Sequence, residues 1–415
     1  FGSSVGPNGG YAAHGMGSEP CGGCSVAVAE AGPPLLGEPF KYQAAVAAGG
    51  RVFAPPFAEV TRRVLAVDAA TGASAEIGAA LPAGNARYVA AVCGRNGKIY
   101  AVPCNAPRTL EVDPASDSVR EFGQEFPSGG LKYQAAVMAT NGKIYGIPFN
   151  AARFLEVDPE HGTAREVGPT LRQGGFKYIA AVAAGNGKIY APPFDAQRAL
   201  VFDPADESAL ELGPEFPEGG QKYAAAVLAS SGAGGERVFA LPCAAGRVLE
   251  LCPAARDGRF CGPEFQVGVF KFQAAVAAAN GRVYGVPYDA ERVLELDPET
   301  GSVEHIGEDL PGSERYVAAA TLAANGRIYA PPCGAARTLE IDPWRASVRL
   351  VGPELRGIEL VDGGGDKYQA IADAGDTGLV AVPYNASRVL LVSLEPAVSG
   401  ASAPQEPAFD LAALD

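Results

Sequence analysis

The stretch that decides the fold is "NGKIYAVPCNAPRTLEVDP", residues 96–114. It opens with Asn96 and Gly97 and contains two runs of β-forming residues separated by a turn that contains proline. Asn-Gly beside such a run is the strongest short hairpin signal, because both central residues of a type I′ turn take positive φ. The stretch therefore predicts short strands joined by tight turns.

Near-copies of this stretch recur along the chain, each preceded by a basic-aromatic pair and small residues. These motifs are KYQAAV at 41, RYVAAV at 87, KYQAAV at 132, KYIAAV at 177, KYAAAV at 222, KFQAAV at 271, RYVAAA at 315 and KYQAIA at 367, spaced 44 to 52 residues apart. A period near 45 that carries only strand signals is typical of propeller blades. We predict an all-β fold, an eight-bladed β-propeller with four-stranded antiparallel blades.

Each copy supplies four strands, named A to D in chain order. In the second copy they are 87–92, "KIYAVP", "RTLEVD" and "SVREFG". Alanine is a poor strand residue. Its repeated use in strand A indicates that this strand is innermost, where only small side chains fit around the axis.

The eighth copy stops after strand C, "RVLLVSL" at 388–394. The segment "SVAVAEAGPPL", residues 25–35, matches "SVREFGQEF" in spacing and precedes the first basic-aromatic pair. We expect it to be the outer strand of the last blade, so that the N-terminal strand closes the ring and removes an open sheet edge. The propeller would span residues 25–395, between flexible segments at 1–24 and 396–415.

Composition limits the classes of partner. The formal net charge of -14 and the pI near 4.8 argue against nucleic acid or an anionic membrane as a general partner. The sequence has no run of roughly 20 apolar residues, the length that a membrane-spanning helix needs. The even number of cysteines, eight, favours an organellar lumen or the extracellular space over the cytoplasm.

The loops from D to A and from B to C share one face, which also carries the residues that backbone geometry does not explain. The basic residues opening the A strands are expected to ring the axis there: Lys41, Arg87, Lys132, Lys177, Lys222, Lys271, Arg315 and Lys367. An arginine also opens strand C in every copy, from Arg63 to Arg388. These cations could attract a small anion or an acidic segment of a partner. Alternatively, each is a structural part that every blade needs, stacking on aromatic rings and bonding loop carbonyls.

Departures from the repeat are better pointers to a specific function. The loop at 354–368 is about seven residues longer than its counterparts and adds Glu359, Asp362 and Asp366 to the same face. It is either a contact loop or a tolerated insertion. Both alternatives stay open from the sequence.

Cysteine and histidine give little sign of chemistry. Cys252 and Cys261 flank a tight hairpin turn, which places them in range of a disulfide or leaves two free thiols. Cys21 and Cys24 form a lone CxxC, which favours a local disulfide or free thiols over a redox or zinc site. The three histidines lie in unrelated parts of the repeat, so no histidine triad, metal site or cofactor is predicted.

The unit "NGKIYGIPFNAARFLEVDPEHG", residues 141–162, resembles kelch-like and streptogramin-lyase-like β-propeller repeats, and more closely uncharacterised repeat proteins of algae and other protists. The resemblance covers residues 25–395 and implies the fold. The kelch double glycine is absent from strand B, and the catalytic histidine of the lyases has no counterpart. We therefore expect a non-catalytic protein-binding or scaffolding propeller within a larger assembly. The alternative is an enzyme or carrier for a small anion held by the basic ring.

Overall fold

The computed structural model describes residues 26–35, 39–127, 129–172, 174–231, 235–267, 270–317, 320–355 and 365–394. Its strands form eight separate four-stranded antiparallel sheets. The A strands of neighbouring sheets contact one another all the way round, including those of the first and eighth sheets. The predicted eight-bladed β-propeller is therefore confirmed.

The blades are numbered 1 to 8 from the first A strand. The A strands, nearest the axis, are Val46–Ala48, Tyr88–Cys93, Tyr133–Met138, Val182–Ala183, Tyr223–Ser231, Phe272–Ala277, Thr321–Leu322 and Tyr368–Asp373. The B strands are Arg51–Ala54, Ile99–Pro103, Ile144–Pro148, Ile189–Ala191, Gly235–Pro242, Val283–Pro287, Ile328–Ala330 and Leu379–Pro383.

The two outer strands complete each blade. The C strands are Val64–Asp68, Thr109–Asp113, Phe154–Asp158, Ala199–Asp203, Val248–Cys252, Val293–Leu296, Thr338–Asp342 and Val389–Leu394. The D strands are Ser74–Ile77, Ser118–Phe122, Thr163–Val167, Ser208–Leu212, Asp257–Cys261, Val303–Ile306, Ser347–Val351 and, for blade 8, Val26–Ala31. A 3₁₀ turn, Gly375–Thr377, joins strands A and B of blade 8. Within the described ranges, no helix has the length and apolar character needed to cross a membrane.

The Asn-Gly turns form as predicted, but by a different mechanism. Gly97 has a φ of 76°, whereas Asn96 is not among the residues with positive φ. The Gly97 N–H donates to the Gly94 carbonyl, and the Asn96 side chain accepts from the Lys98 N–H at 3.1 Å. The expectation of two positive φ values was wrong, because the asparagine acts through its side chain and only the glycine needs the left-handed conformation.

Residues 26–31 close the ring as predicted. They pair antiparallel with the C strand of blade 8, with Val26 opposite Leu394 and Ala31 opposite Val389. In blade 2 Ser118 lies opposite Asp113, and Ala27 takes the equivalent place opposite Ser393. The predicted alignment, which began the match at Ser25, was therefore two residues out of step.

The apolar core is divided among the interfaces between blades. One cluster joins Phe53 and Val64 of blade 1 to Ile99 and Leu110 of blade 2. Another joins blades 8 and 1, which continues the core across the closure. Each blade buries both of its faces against its neighbours, as a propeller requires.

The register excludes the predicted disulfide between Cys252 and Cys261. Cys252 lies opposite Asp257 and Cys261 lies opposite Val248, so the two thiols stand at opposite ends of the paired strands. Four residues of strand separate them, roughly 13 Å, beyond the reach of a disulfide. Both are free thiols. Cys21 and Cys24 lie outside the described residues.

Candidate functional site

The face that carries the D–A and B–C loops is called the loop face, and its centre, where the A strands begin, is called the mouth. The opposite face, with the A–B and C–D turns, is called the turn face. All eight basic residues of the predicted ring lie at the mouth, each at most 8% exposed. They precede the A strands and carry the chain into them.

The basic side chains are bound by backbone carbonyls of nearby loops. Lys132 Nζ donates to the carbonyls of Pro127 and Gly129 at 3.0 and 2.8 Å. Lys177 Nζ donates to the Gly174 carbonyl at 3.1 Å, and burial lowers the pKa of Lys177 to about 8. These bonds account for the recurrence of a basic residue at the start of every A strand. A role of the ring in binding an anion stays a prediction.

The arginines opening the C strands also bind backbone. Arg108, Arg153, Arg198, Arg247 and Arg388 each donate to the carbonyl of the glycine that follows the D strand of the same blade. Arg108 and Arg198 also pair with exposed glutamates at 2.7 Å. The contacts fit the structural alternative, in which every blade needs this arginine.

The residue before each basic side chain forms the rim of the mouth. The rim residues are Phe40, Ala86, Leu131, Phe176, Gln221, Phe270, Glu314 and Asp366. Six of them have φ between 46° and 65°, namely Phe40, Ala86, Leu131, Phe176, Gln221 and Glu314. Such values are uncommon for residues with a side chain and often mark functional surfaces.

A side chain from the preceding blade holds the rim in this conformation. The Phe176 N–H donates to Asn150 Oδ1 at 2.7 Å, and the Glu314 N–H donates to Asp289 Oδ1 at 2.9 Å. Equivalent bonds join Asn385 to Phe40, Asn105 to Leu131 and Asp195 to Gln221. The asparagine or aspartate stands two residues after the last proline at the end of strand B. The sequence thus carried this signal, which the initial interpretation missed.

The third residue of each A-strand motif lies further inside the mouth. These residues are Gln43, Val89, Gln134, Ile179, Ala224, Gln273, Val317 and Gln369, each at most 7% exposed. In five blades the register shifts at this residue, as between Tyr368 and Ala370 around Gln369. Such a bulge re-aims one side chain and is frequent near binding sites.

Most of the mouth is apolar. Ile179 and Ala224 pack with Phe149, Phe194 and Cys243 in one buried cluster. Two rim residues, Leu131 and Phe270, pack against this cluster. The mouth is therefore filled by its own side chains across blades 3 to 6.

Blades 6 to 8 break this pattern with a group of polar side chains. We name Tyr288, Glu314, Cys333, Asp366 and Gln369 the mouth cluster. Cys333 occupies the position after the strand-B proline that holds Phe, Tyr or Cys in the other blades, and its thiol donates to Asp366 Oδ1 at 3.0 Å. Gln369 Nε2 donates to Asp366 Oδ2 at 3.4 Å. In blades 5 and 6, by contrast, Phe270 packs against the cluster that contains Cys243.

A glycine brings Glu314 close to this group. A Cβ at Gly334 would lie 2.8 Å from the Glu314 carbonyl oxygen, so a larger residue there would push the rim away. Gly334 also replaces the asparagine or aspartate that fixes the next rim residue in other blades. Asp366 is consequently free to turn towards Cys333 and Gln369.

Electrostatics favour neutral thiol and phenol groups in the cluster. Burial and the Asp366 carboxylate raise the pKa of Cys333 far above its ordinary range. Burial and the nearby Glu314 carboxylate likewise raise the pKa of Tyr288. Neither group supplies a nucleophilic anion near neutral pH. The cluster therefore presents hydrogen-bond acceptors, chiefly two carboxylates and an amide oxygen.

Two histidines lie within the described parts of the chain, both outside the mouth cluster. No group of three His, Cys, Asp or Glu side chains there could hold a metal ion. His161 lies in a C–D turn beside Asp158, at 3.0 Å, and His305 lies in the D strand of blade 6. Neither histidine belongs to the mouth cluster.

The predicted contact loop is only partly described. Glu359 and Asp362 lie outside the described residues, whereas Asp366 is placed in the mouth cluster. The sequence analysis assigned no functional role to Cys333 or Gln369. Glutamine and cysteine recur at these two positions in other blades, so neither residue stood out, and the contact between blades was not visible.

Comparisons with known structures agree on the fold. The chain is similar to virginiamycin B lyase from Staphylococcus aureus, with a TM-score of 0.57 and 10% identity over 89% of this chain and 100% of that one. It is also similar to a streptogramin B lyase, with a TM-score of 0.56 and 15% identity over 74% and 92% of the two chains. The computationally designed Ika8 protein gives 0.59 and 14% over 88% and 99%. At these identities the likeness shows a shared β-propeller fold alone.

No family model and no curated protein sequence matches the chain. The resemblance to streptogramin-lyase-like propellers is confirmed at the level of the fold. Since that likeness reaches no further than the fold, the activity named for the lyases is theirs and is not carried over to this chain.

Proposed function

We propose that the protein is a non-catalytic binding module that receives a protein partner on its loop face, as part of a larger assembly. The observation that carries this proposal is the mouth cluster. Eightfold repetition explains the basic ring and the strand-C arginines. In the cluster, by contrast, Glu314 and Asp366 place carboxylates at rim positions that hold apolar or amide side chains in the other blades. Departures of this kind on a rigid scaffold are where recognition is usually built.

The exposed rim supports a partner of macromolecular size. Phe40 and Phe176 are 46% and 43% exposed on the loop face. Aromatic side chains are enriched at the centres of protein interfaces. We include in this proposal that the repeat unit is kelch-like and that it is close to repeat proteins of algae and other protists.

The alternative of a small anion held by the basic ring has less support. Lysine amino groups that would bind the anion already donate to loop carbonyls and are nearly buried. An anion would have to displace these bonds and open the mouth. The likeness to lyases supports no reaction for this chain by itself.

The test is a comparison of partners retained by full-length variants recovered from the native source. Phe40→Asp with Phe176→Asp changes the loop face, and Glu160→Lys with Glu299→Lys changes exposed turns on the turn face. We expect quantitative mass spectrometry to show a stoichiometric protein that the loop-face variant loses and the turn-face variant keeps. Retention of every stoichiometric partner by the loop-face variant would contradict the proposal.

A further inference from the structure

The mouth cluster is richer in acceptors than in donors. Neither Glu314 nor Asp366 forms an ion pair with a described basic side chain, although ion pairs are frequent elsewhere in the propeller. Lys367 lies near Asp366, but its Nζ donates to the Gly365 carbonyl at 3.3 Å. The two carboxylates therefore keep acceptor capacity that the described chain does not use.

A second observation points to a missing donor. Gln369 is 6% exposed, and its Oε1 is buried without a hydrogen-bond partner. The orientation of the amide is fixed, since the opposite one would place this oxygen against the Asp366 carboxylate. A buried acceptor without a donor destabilises the fold, because it has lost its bonds to water without replacement. The amide oxygen of Gln369 thus lacks a hydrogen-bond donor at a place beside the carboxylates.

Aromatic rings border the cluster on the blade 8 side. Burial and then the Asp366 carboxylate raise the pKa of Tyr384, which places its ring beside the cluster. The centroid of this ring lies 5.2 Å from that of Phe40 and 5.8 Å from that of Phe57. Aromatic faces attract cations. A ligand with a positive head and an apolar stem would meet both the acceptors and the rings.

We propose that the mouth cluster binds a lysine or arginine side chain from a basic segment of the protein partner. This inference rests on the proposed function and names the chemistry of the partner. The cationic head would donate to Asp366, Glu314 and Gln369 Oε1, and its stem would lie against the rim aromatics. A basic segment also suits the net charge of -14.

The test uses a fluorescently labelled hexa-arginine peptide and the full-length protein, measured by anisotropy at two salt concentrations. Glu314→Gln with Asp366→Asn should weaken binding about tenfold, the effect of losing two charge-assisted contacts. The control, Glu160→Gln with Glu299→Gln, removes the same charge from the turn face and should weaken binding less than about twofold. Equal weakening in both variants would overturn the inference.

A second variant separates the pocket from general attraction to an acidic protein. Gln369→Met removes the unpaired oxygen together with the long bond from Nε2 to Asp366, and preserves the side-chain length. We expect it to raise the melting temperature of the free protein and to weaken peptide binding about threefold. A neutral effect on peptide binding would overturn the inference.

Spermine serves as a small competitor that carries amines without a peptide backbone. Binding of spermine as tightly as the peptide would overturn the assignment to a protein segment, whereas weak competition supports it. Failure of these experiments would leave the partner comparison with the rim aromatics unaffected. If the proposed function itself is wrong, the comparison of partners will show it, because the loop-face variant will then retain every stoichiometric partner.

Discussion

At the scale of single residues, the buried lysines are the costliest feature of the ring. Lys177 is 6% exposed and donates to a loop carbonyl, with no carboxylate at ion-pair distance among the described residues. Carbonyl dipoles offset the loss of hydration only in part. The pKa of Lys177 consequently falls to about 8.

This shift predicts a pH dependence of stability. Between pH 8 and the ordinary pKa of 10.5, the unfolded chain holds a proton on Lys177 that the folded chain has released. The penalty is complete below pH 8 and is relieved as pH rises through that window. We expect the stabilities of wild type and Lys177→Met in urea unfolding to differ progressively in favour of wild type between about pH 8 and 10.5. A difference independent of pH would show that the buried amino group keeps an ordinary pKa.

At the scale of elements, a single asparagine or aspartate side chain connects five of the D–A loops to the blade before them. Asn150 accepts from the Phe176 N–H at 2.7 Å and donates to the Gly130 carbonyl at 2.8 Å. It therefore ties two successive loops together. In five places a side-chain oxygen accepts from the N–H of a rim residue, as Asn150 does. These bonds hold the rim residues at positive φ, which residues with a side chain disfavour.

Removing one tie should loosen one loop. We expect Asn150→Ala to lower the free energy of unfolding by about 1–2 kcal/mol and to increase hydrogen exchange at the Phe176 amide. Asn150→Asp keeps the accepting oxygen, as Asp195 and Asp289 do naturally in other blades, and should preserve slow exchange. Fast exchange in both variants would mean that the oxygen does not hold the rim.

Strands and turns could be predicted because hydrophobic pattern, glycine placement and a regular period all report local geometry. The backbone conformation of Asn96 could not be predicted, because a side-chain hydrogen bond decides it. The strand register around Ala27 could not be predicted either, because the pairing with the neighbouring strand decides it. The mouth cluster brings together residues from three blades. The packing of blade 8 against blade 7, which the sequence does not show, places Glu314, Cys333 and Asp366 beside one another.

At the scale of the whole molecule, the ring depends on one strand from the opposite end of the chain. Val28 is 9% exposed and lies beneath Gly352, where an added Cβ would approach it to 2.5 Å. Val119 of blade 2 occupies the equivalent position beneath Gly78. The borrowed strand is thus packed like the outer strand of any other blade.

Deleting residues 1–36 should therefore open blade 8. We expect the melting temperature to fall by about 10 °C and the bare C strand to promote self-association, since it becomes an unpaired edge. Deletion of residues 1–24 is the matched control and should change neither property. Differential scanning fluorimetry and size-exclusion chromatography would measure both, and equal behaviour of the two deletions would refute closure by this strand.

The pairing of Val26 with Leu394 also fixes where the two ends of the ring depart. Both leave side by side on the turn face, the side remote from the mouth. Anchoring the ring to a sensor surface at Val26 or Leu394 would leave the loop face pointing into solution. Because the two ends are adjacent, a short linker can join them, and new termini can be made by opening a D–A loop. In the resulting circular permutant every blade is one continuous segment of chain.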